Sequence, residues 1–402
     1  MTSCLLSIFR LGYIGLPTAA LIAESGLEVN GVDISKNIVN KINKGDIHIF
    51  EPNLKEIVQK VVKKGFLKAS TRGSNADVFI ITVPTPLEKN KIESPKPDIS
   101  FVIQAAKEIA KFIQEGNLVI LESTCPVKTT ENIYNLIKEE SYISNFEIAY
   151  CPERVIPGNI FNELKNNSRV IGGLTPKASQ KSEALYKIFC KGKILCTDAK
   201  TAELVKLTEN SYRNTNIAFA NEISIIATEY GINPYELITL TNYHPRVNIL
   251  NPGCGVGGHC IAIDPKFLIS DLPELSLLTR ISCEVNDKKT KWVTNEIISN
   301  ANQFLKSKNR EPVIGIFGIT FKSDVDDIRE SPAIKIVESL FKNGNDLLIC
   351  EPNLEKHNEF NLIDIKYALN NSDILVFLVK HSKFKSLNID SKICLDFCGL
   401  GY

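Results

Sequence analysis

The N-terminal stretch constrains the fold more than any other part of the chain. An apolar run at Ser3–Phe9 leads into R-L-G-Y-I-G-L-P-T-A-A-L-I-A-E-S-G at residues 10–26, and a second run, Glu28–Val32, ends on Asp33. Leu16–Glu24 has helical composition, and Gly26 is placed as its C-cap. A strand, a glycine turn, a helix and a second strand closing on an acid form the opening of a dinucleotide-binding fold. Gly12 and Gly15, flanking Tyr13 and Ile14, would bring the turn against a pyrophosphate at the helix N-terminus. Asp33 would accept hydrogen bonds from the adenosine ribose and disfavour a 2′-phosphate, which selects NAD over NADP. One position departs from G-x-G-x-x-G: Arg10 stands where the first glycine belongs. A side chain there is expected to distort the tight turn or crowd the cofactor.

Apolar runs ending in polar residues recur downstream. Asp77–Val83 leads to Thr82, Pro84 and Thr85, and Asn117–Leu121 leads to E-S-T-C-P-V with Thr124. Glu147–Tyr150 leads to C-P-E-R-V-I-P-G, which holds Glu153 and Arg154 between two prolines. In open α/β sheets ligands sit at these carboxyl ends of strands. Thr201–Tyr230 then reads as one helix without breakers, ended by Gly231. Lys206 and Asn210 are one turn apart on it, and Arg213 and Asn214 continue their stripe. Lys206 lies among Leu204, Val205 and Leu207, a setting that lowers a lysine pKa and suits acid/base work, although a surface lysine is an equal reading. Asn221 and Glu222 are expected to face a second subunit. Arg246, in N-Y-H-P-R-V-N, is a candidate for an anionic or sugar ligand.

Ser307–Pro312 reads as a linker, and strand–helix alternation resumes after it. Val313–Phe317, Asp346–Cys350, Ile374–Leu378 and Ile393–Asp396 read as strands and Ala333–Lys342 as a helix, which implies a second parallel sheet. The loop at 318–332 offers Lys322 and Arg329, suited to phosphates. The expected architecture is α/β: two Rossmann-like doubly wound domains joined by a long central helix. The expected boundaries are 1–198 for the NAD-binding domain, 199–300 for a helical domain, and 301–402 for a domain binding a nucleotide.

The densest chemistry lies at Asn251–Pro265, N-P-G-C-G-V-G-G-H-C-I-A-I-D-P. Its four glycines are expected to let backbone approach a ligand closely. A helical turn starting at Cys260 would put Cys260 and Asp264 on one face. A thiol placed there becomes a nucleophile when its thiolate is favoured. Composition narrows the class. The net charge of +1 gives no footprint of a nucleic-acid or membrane-surface protein, and no apolar run approaches a membrane span. The N-terminus lacks the basic segment and cleavage site of a signal peptide. Eleven cysteines without C-x-x-C pairs favour reduced thiols in the cytoplasm over disulfides or a metal site.

Taken together, L-G-Y-I-G-L-P, E-S-T-C-P-V, P-E-R-V-I-P-G, the Lys206/Asn210 helix, G-V-G-G-H-C-I-A-I-D-P and F-K-S-D-V-D-D-I-R-E-S-P resemble the UDP-glucose/GDP-mannose dehydrogenase family over nearly the whole length. V-G-G-H-C looks like the branch that handles N-acetylated hexosamines. The resemblance implies a four-electron oxidation at C6 of a UDP-sugar, N-acetylmannosamine first and N-acetylglucosamine or glucose as alternatives, with two NAD reduced. It implies that Cys260 holds the half-oxidised sugar as a thiohemiacetal and then a thioester. Lys206 and Asn210 would stabilise oxyanionic charge, Asp264 and Thr124 would position or activate water, and Glu153 would act in thioester hydrolysis. Arg154, Arg213, Gly257, His259 and Lys322 would contact the sugar nucleotide and Arg329 the cofactor side. Arg246 would reach a neighbouring subunit's site, which implies a homodimer. A silent homologue that only binds nucleotide sugar is the alternative from a different class, and Arg10 is the feature that favours it. Cys254 stands where relatives have proline and is expected to be dispensable.

Overall fold

The computed structural model describes residues 4–88, 96–156, 158–389 and 392–401, so Ser3 and Pro157 lie outside the described residues. The chain divides into two compact units, 1–207 and 208–402. In the first, β1 (Leu5–Phe9), α1 (Gly15–Glu24), β2 (Glu28–Val32), α2 (Lys36–Asn43), α3 (Leu54–Lys63), β3 (Leu67–Ser70) and β4 (Val78–Ile81) come in that order. They are followed by α4 (Ser100–Ala110), β5 (Leu118–Leu121), α5 (Thr129–Ser141), β6 (Glu147–Tyr150), α6 (Ile160–Asn166), β7 (Arg169–Gly173), α7 (Pro176–Tyr186) and β8 (Ile194–Asp198).

The eight strands form one sheet in the order β3-β2-β1-β4-β5-β6-β7-β8. Side chains alternate faces along a strand, and here both faces are dry. Leu6, Ile8 and Ile80 join a core with residues of α1, α2 and α3, while Phe9, Phe79 and Ile81 join a second core with residues of α4 and α5. Two covered faces explain why the strands read as continuous apolar runs, as parallel strands do. The sheet is parallel except for one junction: β6 and β7 pair antiparallel, Ala149 opposite Gly173.

Helix α8 (Ala199–Glu229) starts in the first unit. Its Glu203 is fully buried and accepts hydrogen bonds from Lys128 N (2.6 Å), Thr130 N (2.7 Å) and Thr130 Oγ1 (2.7 Å). These bonds cap α5, whose own N-terminal residue, Lys128, has a left-handed backbone and no side-chain cap. A carboxylate at a helix N-terminus also complements the helix dipole.

The second unit holds the rest of α8, α9 (Pro234–Thr241), α10 (Asp264–Asp271), α11 (Leu277–Lys308), β9 (Val313–Phe317), α12 (Pro332–Lys342), β10 (Asp346–Cys350), α13 (Ile365–Asn371), β11 (Ile374–Phe377) and β12 (Ile393–Asp396). Its sheet is parallel, in the order β10-β9-β11-β12. Val293, Ile297 and Ala301 of α11 and Ile336, Val337 and Leu340 of α12 share a core with Ile314, Ile316 and Val376. The expected linker at Ser307–Pro312 is mostly helix end: α11 runs to Lys308 and stops on Asn309 at φ 54°. The basic and polar composition there is that of a solvated last turn and cap rather than of a tether. Among the described residues no helix is long and apolar enough to cross a membrane.

Replacing Glu203 by alanine strands two backbone donors at the start of α5. We expect a loss of about 3 kcal/mol in stability, read by urea unfolding, and a smaller loss for Glu203→Gln.

Candidate active site

The turn after β1 keeps the shape that the missing glycine would have given it. Arg10 itself takes φ 80°, at a cost of roughly 1 kcal/mol for an L residue. Its N–H donates to Val32 O at 2.7 Å, and its carbonyl accepts from Thr82 Oγ1 at 2.8 Å. Thr82 also donates to Phe9 O at 2.8 Å, so this strand-end threonine braces the turn. A Cβ on Gly15 would lie 1.9 Å from Arg10 O, whereas one on Gly12 would meet only the Arg10 side chain, at 3.7 Å. The expectation of a distorted turn is therefore corrected: Arg10 adopts the glycine conformation.

Asp33 is buried and accepts from Leu11 N at 3.1 Å and Ser35 N at 3.0 Å, with Arg10 Nε 4.0 Å from Oδ2. An open loop backbone at Gly12, the N-terminus of α1 and an acid at the end of β2 fit NAD. Tyr13 and Ile14 lie in this turn, and Thr85 and Thr124 are partly exposed beyond β4 and β5. Ser123 Oγ donates to Val83 O at 2.7 Å and ties those two strand ends together.

In the same unit, Glu153 follows β6 in a half-buried loop with Arg154. Lys206 is 8% exposed, and its Nζ donates to the Glu153 carbonyl at 2.7 Å. The surface reading of Lys206 is thus excluded. Glu153 Oε1 accepts from Arg154 N at 2.6 Å, and Oε2 pairs with Arg169 Nη2 at 3.0 Å. Arg169, which opens β7 and is 3% exposed, was not among the expected site residues.

The second unit carries the cysteine loop. Cys260 O accepts from Ile263 N at 3.0 Å and Asp264 N at 2.8 Å, so a turn does begin at Cys260 and runs into α10. Asp264 is buried at the start of α10, and Asn210 Nδ2 donates to its Oδ2 at 2.5 Å. Asn214 Nδ2 holds Ile261 O at 3.2 Å. Asn221 Oδ1 accepts from Gly253 N at 2.9 Å, while its Nδ2 donates to Asn286 Oδ1 at 2.8 Å. Asn221 is therefore inside its own chain, not turned to a second subunit, whereas Glu222 is exposed. Arg213 is exposed, off the buried stripe, because three residues past Asn210 fall short of the full turn that Asn214 completes.

Gly255, Gly257 and Gly258 of the loop pack closely within the protein, while a Cβ on Gly253 would meet nothing within 4 Å. A Cβ on Gly255 would lie 2.4 Å from Thr290 Oγ1, and one on Gly257 2.8 Å from Glu330 O. Gly258 N donates to Arg329 O at 2.9 Å. His259, Arg246, Lys322 and Arg329 are exposed, and Arg329 Nη2 pairs with Asp327 Oδ2 at 2.5 Å.

Cys254 is buried with its Sγ 3.3 Å from Leu378 O, and burial pushes its thiol up to about 12. Cys260 is partly exposed. Iodoacetamide at pH 8 is expected to modify Cys260 in the native protein and spare Cys254, read by peptide mass mapping. Arg10→Gly is expected to exceed Arg10→Ala in stability by about 1 kcal/mol, because only glycine relieves the positive φ.

Residues 4–190, 200–288 and 315–398 match, in turn, the NAD binding, central and UDP binding domains of the UDP-glucose/GDP-mannose dehydrogenase family. An NDP-N-acetyl-D-galactosaminuronic acid dehydrogenase from Ralstonia nicotianae is 44% identical over 98% of this chain and 96% of its own. A UDP-N-acetyl-D-mannosamine dehydrogenase from Campylobacter jejuni is 45% identical over 97% of this chain and 98% of its own. The solved structure of a UDP-D-ManNAc dehydrogenase from Pyrococcus horikoshii superposes with a TM-score of 0.90 at 38% identity, covering 98% of this chain and 96% of that one. With its NAD turn, its cysteine loop and these matches from end to end, the chain belongs to the UDP-glucose/GDP-mannose dehydrogenase family of NAD-dependent oxidoreductases.

Proposed function

We propose that this protein oxidises the C6 hydroxyl of UDP-N-acetyl-D-mannosamine to the carboxylate, in the cytoplasm, as a step towards a bacterial surface polysaccharide. The observation that carries the reading is one partly exposed thiol, Cys260, opening the turn that brings Asp264 to Asn210. Relatives named for UDP-N-acetyl-D-mannosamine support the sugar. NAD supplies the hydride acceptor, two molecules for each sugar.

The chain's own groups divide the remaining work. Cys260 Sγ adds to the C6 aldehyde, and the resulting thiohemiacetal keeps the sugar in place until it is oxidised to the thioester. The Lys206 ammonium and the Asn210 amide would stabilise the oxyanion formed at each addition. Asp264 and Thr124 position the water, and Glu153 takes its proton as the C–S bond breaks and the thiol is restored. Gly12, Tyr13, Ile14, Gly15, Asp33, Thr85, Thr124 and Arg329 would hold NAD. Arg154, Arg213, Arg246, Gly257, His259 and Lys322 would hold the UDP-sugar. In this reading the domains run 1–198, 199–300 and 301–402.

A homodimer belongs to the same proposal. Tyr212, Phe219 and Ile226 are exposed on α8 at seven-residue intervals, an apolar row of the kind that helices bury against a partner. A second sugar, NDP-N-acetylgalactosamine, is favoured by the Ralstonia relative at 44% identity.

NADH formation over a panel of UDP-sugars tests the substrate: UDP-N-acetylmannosamine is expected to give the highest kcat/KM, and a higher value for another sugar reassigns it. Cys260→Ala is expected to cut turnover at least about a thousandfold. Sedimentation should give twice the 44.7 kDa chain mass, and Phe219→Glu should reduce it to one chain.

A further inference from the structure

Behind Glu153 lies a buried group of charges that the proposed reaction does not use. Arg169, at the start of β7, and Glu122, just past β5, are each 3% exposed. Arg169 Nη2 meets Glu153 Oε2 at 3.0 Å, and Nη1 lies 3.9 Å from Glu122 Oε1. Tyr186, the last residue of α7, donates its hydroxyl to Glu122 Oε1 at 2.5 Å, and the guanidinium stacks 4.4 Å over its ring. Arg169 Nη1 also lies 3.7 Å from Cys151 Sγ. The other charged residues near Glu153 are Arg154, whose backbone N–H binds Oε1, Lys206, whose ammonium is on the carbonyl, and Glu163, on the same cleft.

Two carboxylates thus share one buried cation. A buried carboxylate needs a full counterion or a proton. Glu153 takes the closer guanidinium contact and borders a shallow cleft with Pro152, Arg154, Glu163, Asn167 and Ser168. Glu122 keeps the weaker contact, and among the described residues neither its Oε2 nor Arg169 Nε has a hydrogen-bond partner. An orphan oxygen on a sealed carboxyl is where a proton resides. Burial pushes Glu122 up to about 7, against the pull of Arg169. Arg169 itself remains charged beside the carboxylates.

We propose that Arg169 and Glu122 are positioning residues for Glu153, with Arg169 fixing its carboxylate and Glu122, by holding or releasing a proton, deciding how much of the Arg169 charge Glu153 receives. The proposal rests on Glu153 acting in thioester hydrolysis. When Glu122 is protonated, Arg169 serves Glu153 alone. When Glu122 ionises, the guanidinium is divided and Glu153 is a readier proton acceptor. Hydrolytic power would then rise as pH passes through neutrality, from a group that never touches the sugar.

The test is the pH profile of kcat at saturating substrate, with unfolding curves taken for every variant. Glu122→Gln removes the competing charge and is expected to move the acidic limb down by at least about half a unit. Arg169→Met is expected to move it up, and Arg169→Lys to bring it back towards the parent. A purely structural role lowers kcat or stability and leaves the limb in place, which overturns the proposal. Infrared difference spectra of the parent protein give a readout independent of turnover. A protonated carboxyl C=O band is expected at pH 6, lost at pH 8 and absent in Glu122→Gln; its persistence in Glu122→Gln overturns the assignment, even should Arg169→Met fail to fold. Glu153→Gln separates the two layers. Unchanged turnover and limb in that variant reject the role of Glu153, whereas loss of the limb there with no movement in Glu122→Gln rejects only the coupling.

Discussion

The structure depends on a helix whose buried face is polar. Glu203, Lys206, Asn210, Asn214 and Asn221 of α8 are each at most 8% exposed. A buried polar group that lacks a partner costs several kcal/mol, so each of these must find one. Each has a partner in a loop or at a helix start: α5 for Glu203, the Glu153 carbonyl for Lys206, Asp264 for Asn210, Ile261 O for Asn214 and Gly253 N for Asn221, and Asn286 of α11 adds a second partner for Asn214 and Asn221. An apolar face would have packed against other helices without choosing among their registers. The polar face chooses, because hydrogen bonds tolerate little displacement. Helix α8 therefore places the candidate chemistry in both units, residue by residue, while packing holds the sheets.

The same economy separates Cys260 from the buried thiols. Burial pushes Cys151, Cys254 and Cys350 up to about 12 and Cys283 to about 11, where they behave as small apolar side chains. Cys260 is partly exposed and opens a turn that runs into α10. Cys254, six residues earlier in the same loop, shows that loop position does not make a thiol reactive. It is sealed, and Thr290 Oγ1 holds its carbonyl at 2.8 Å.

Arg10 shows how a fold absorbs a wrong residue at a signature position. The requirement at the first fingerprint position is a backbone angle, and arginine meets it under strain because Val32 O and Thr82 Oγ1 grip both sides of the peptide. Position 15 has no such latitude, since any Cβ there would overlap the Arg10 carbonyl. Two glycines of one motif thus answer to different physics, conformation in one case and contact in the other.

Local pattern determined much of this protein. Apolar runs of strand length, glycine turns and the Lys206/Asn210 spacing are set by neighbours in sequence, and they made both sheets, the cofactor turn and the cysteine loop legible. Helix α11 was not legible, because Ser282, Asn286 and Lys289 occupy its buried face and blur the apolar period. Strands β7 and β8 were not read from the sequence either, and the antiparallel direction of β7 is a choice of the whole sheet that a local pattern does not carry. The fate of Asn221, and the meeting of Glu122, Arg169 and Tyr186 beneath Glu153, were decided by tertiary structure alone. Those groups come from separate strands and helices, and what each carboxylate does depends on how the fold shares one buried cation between them.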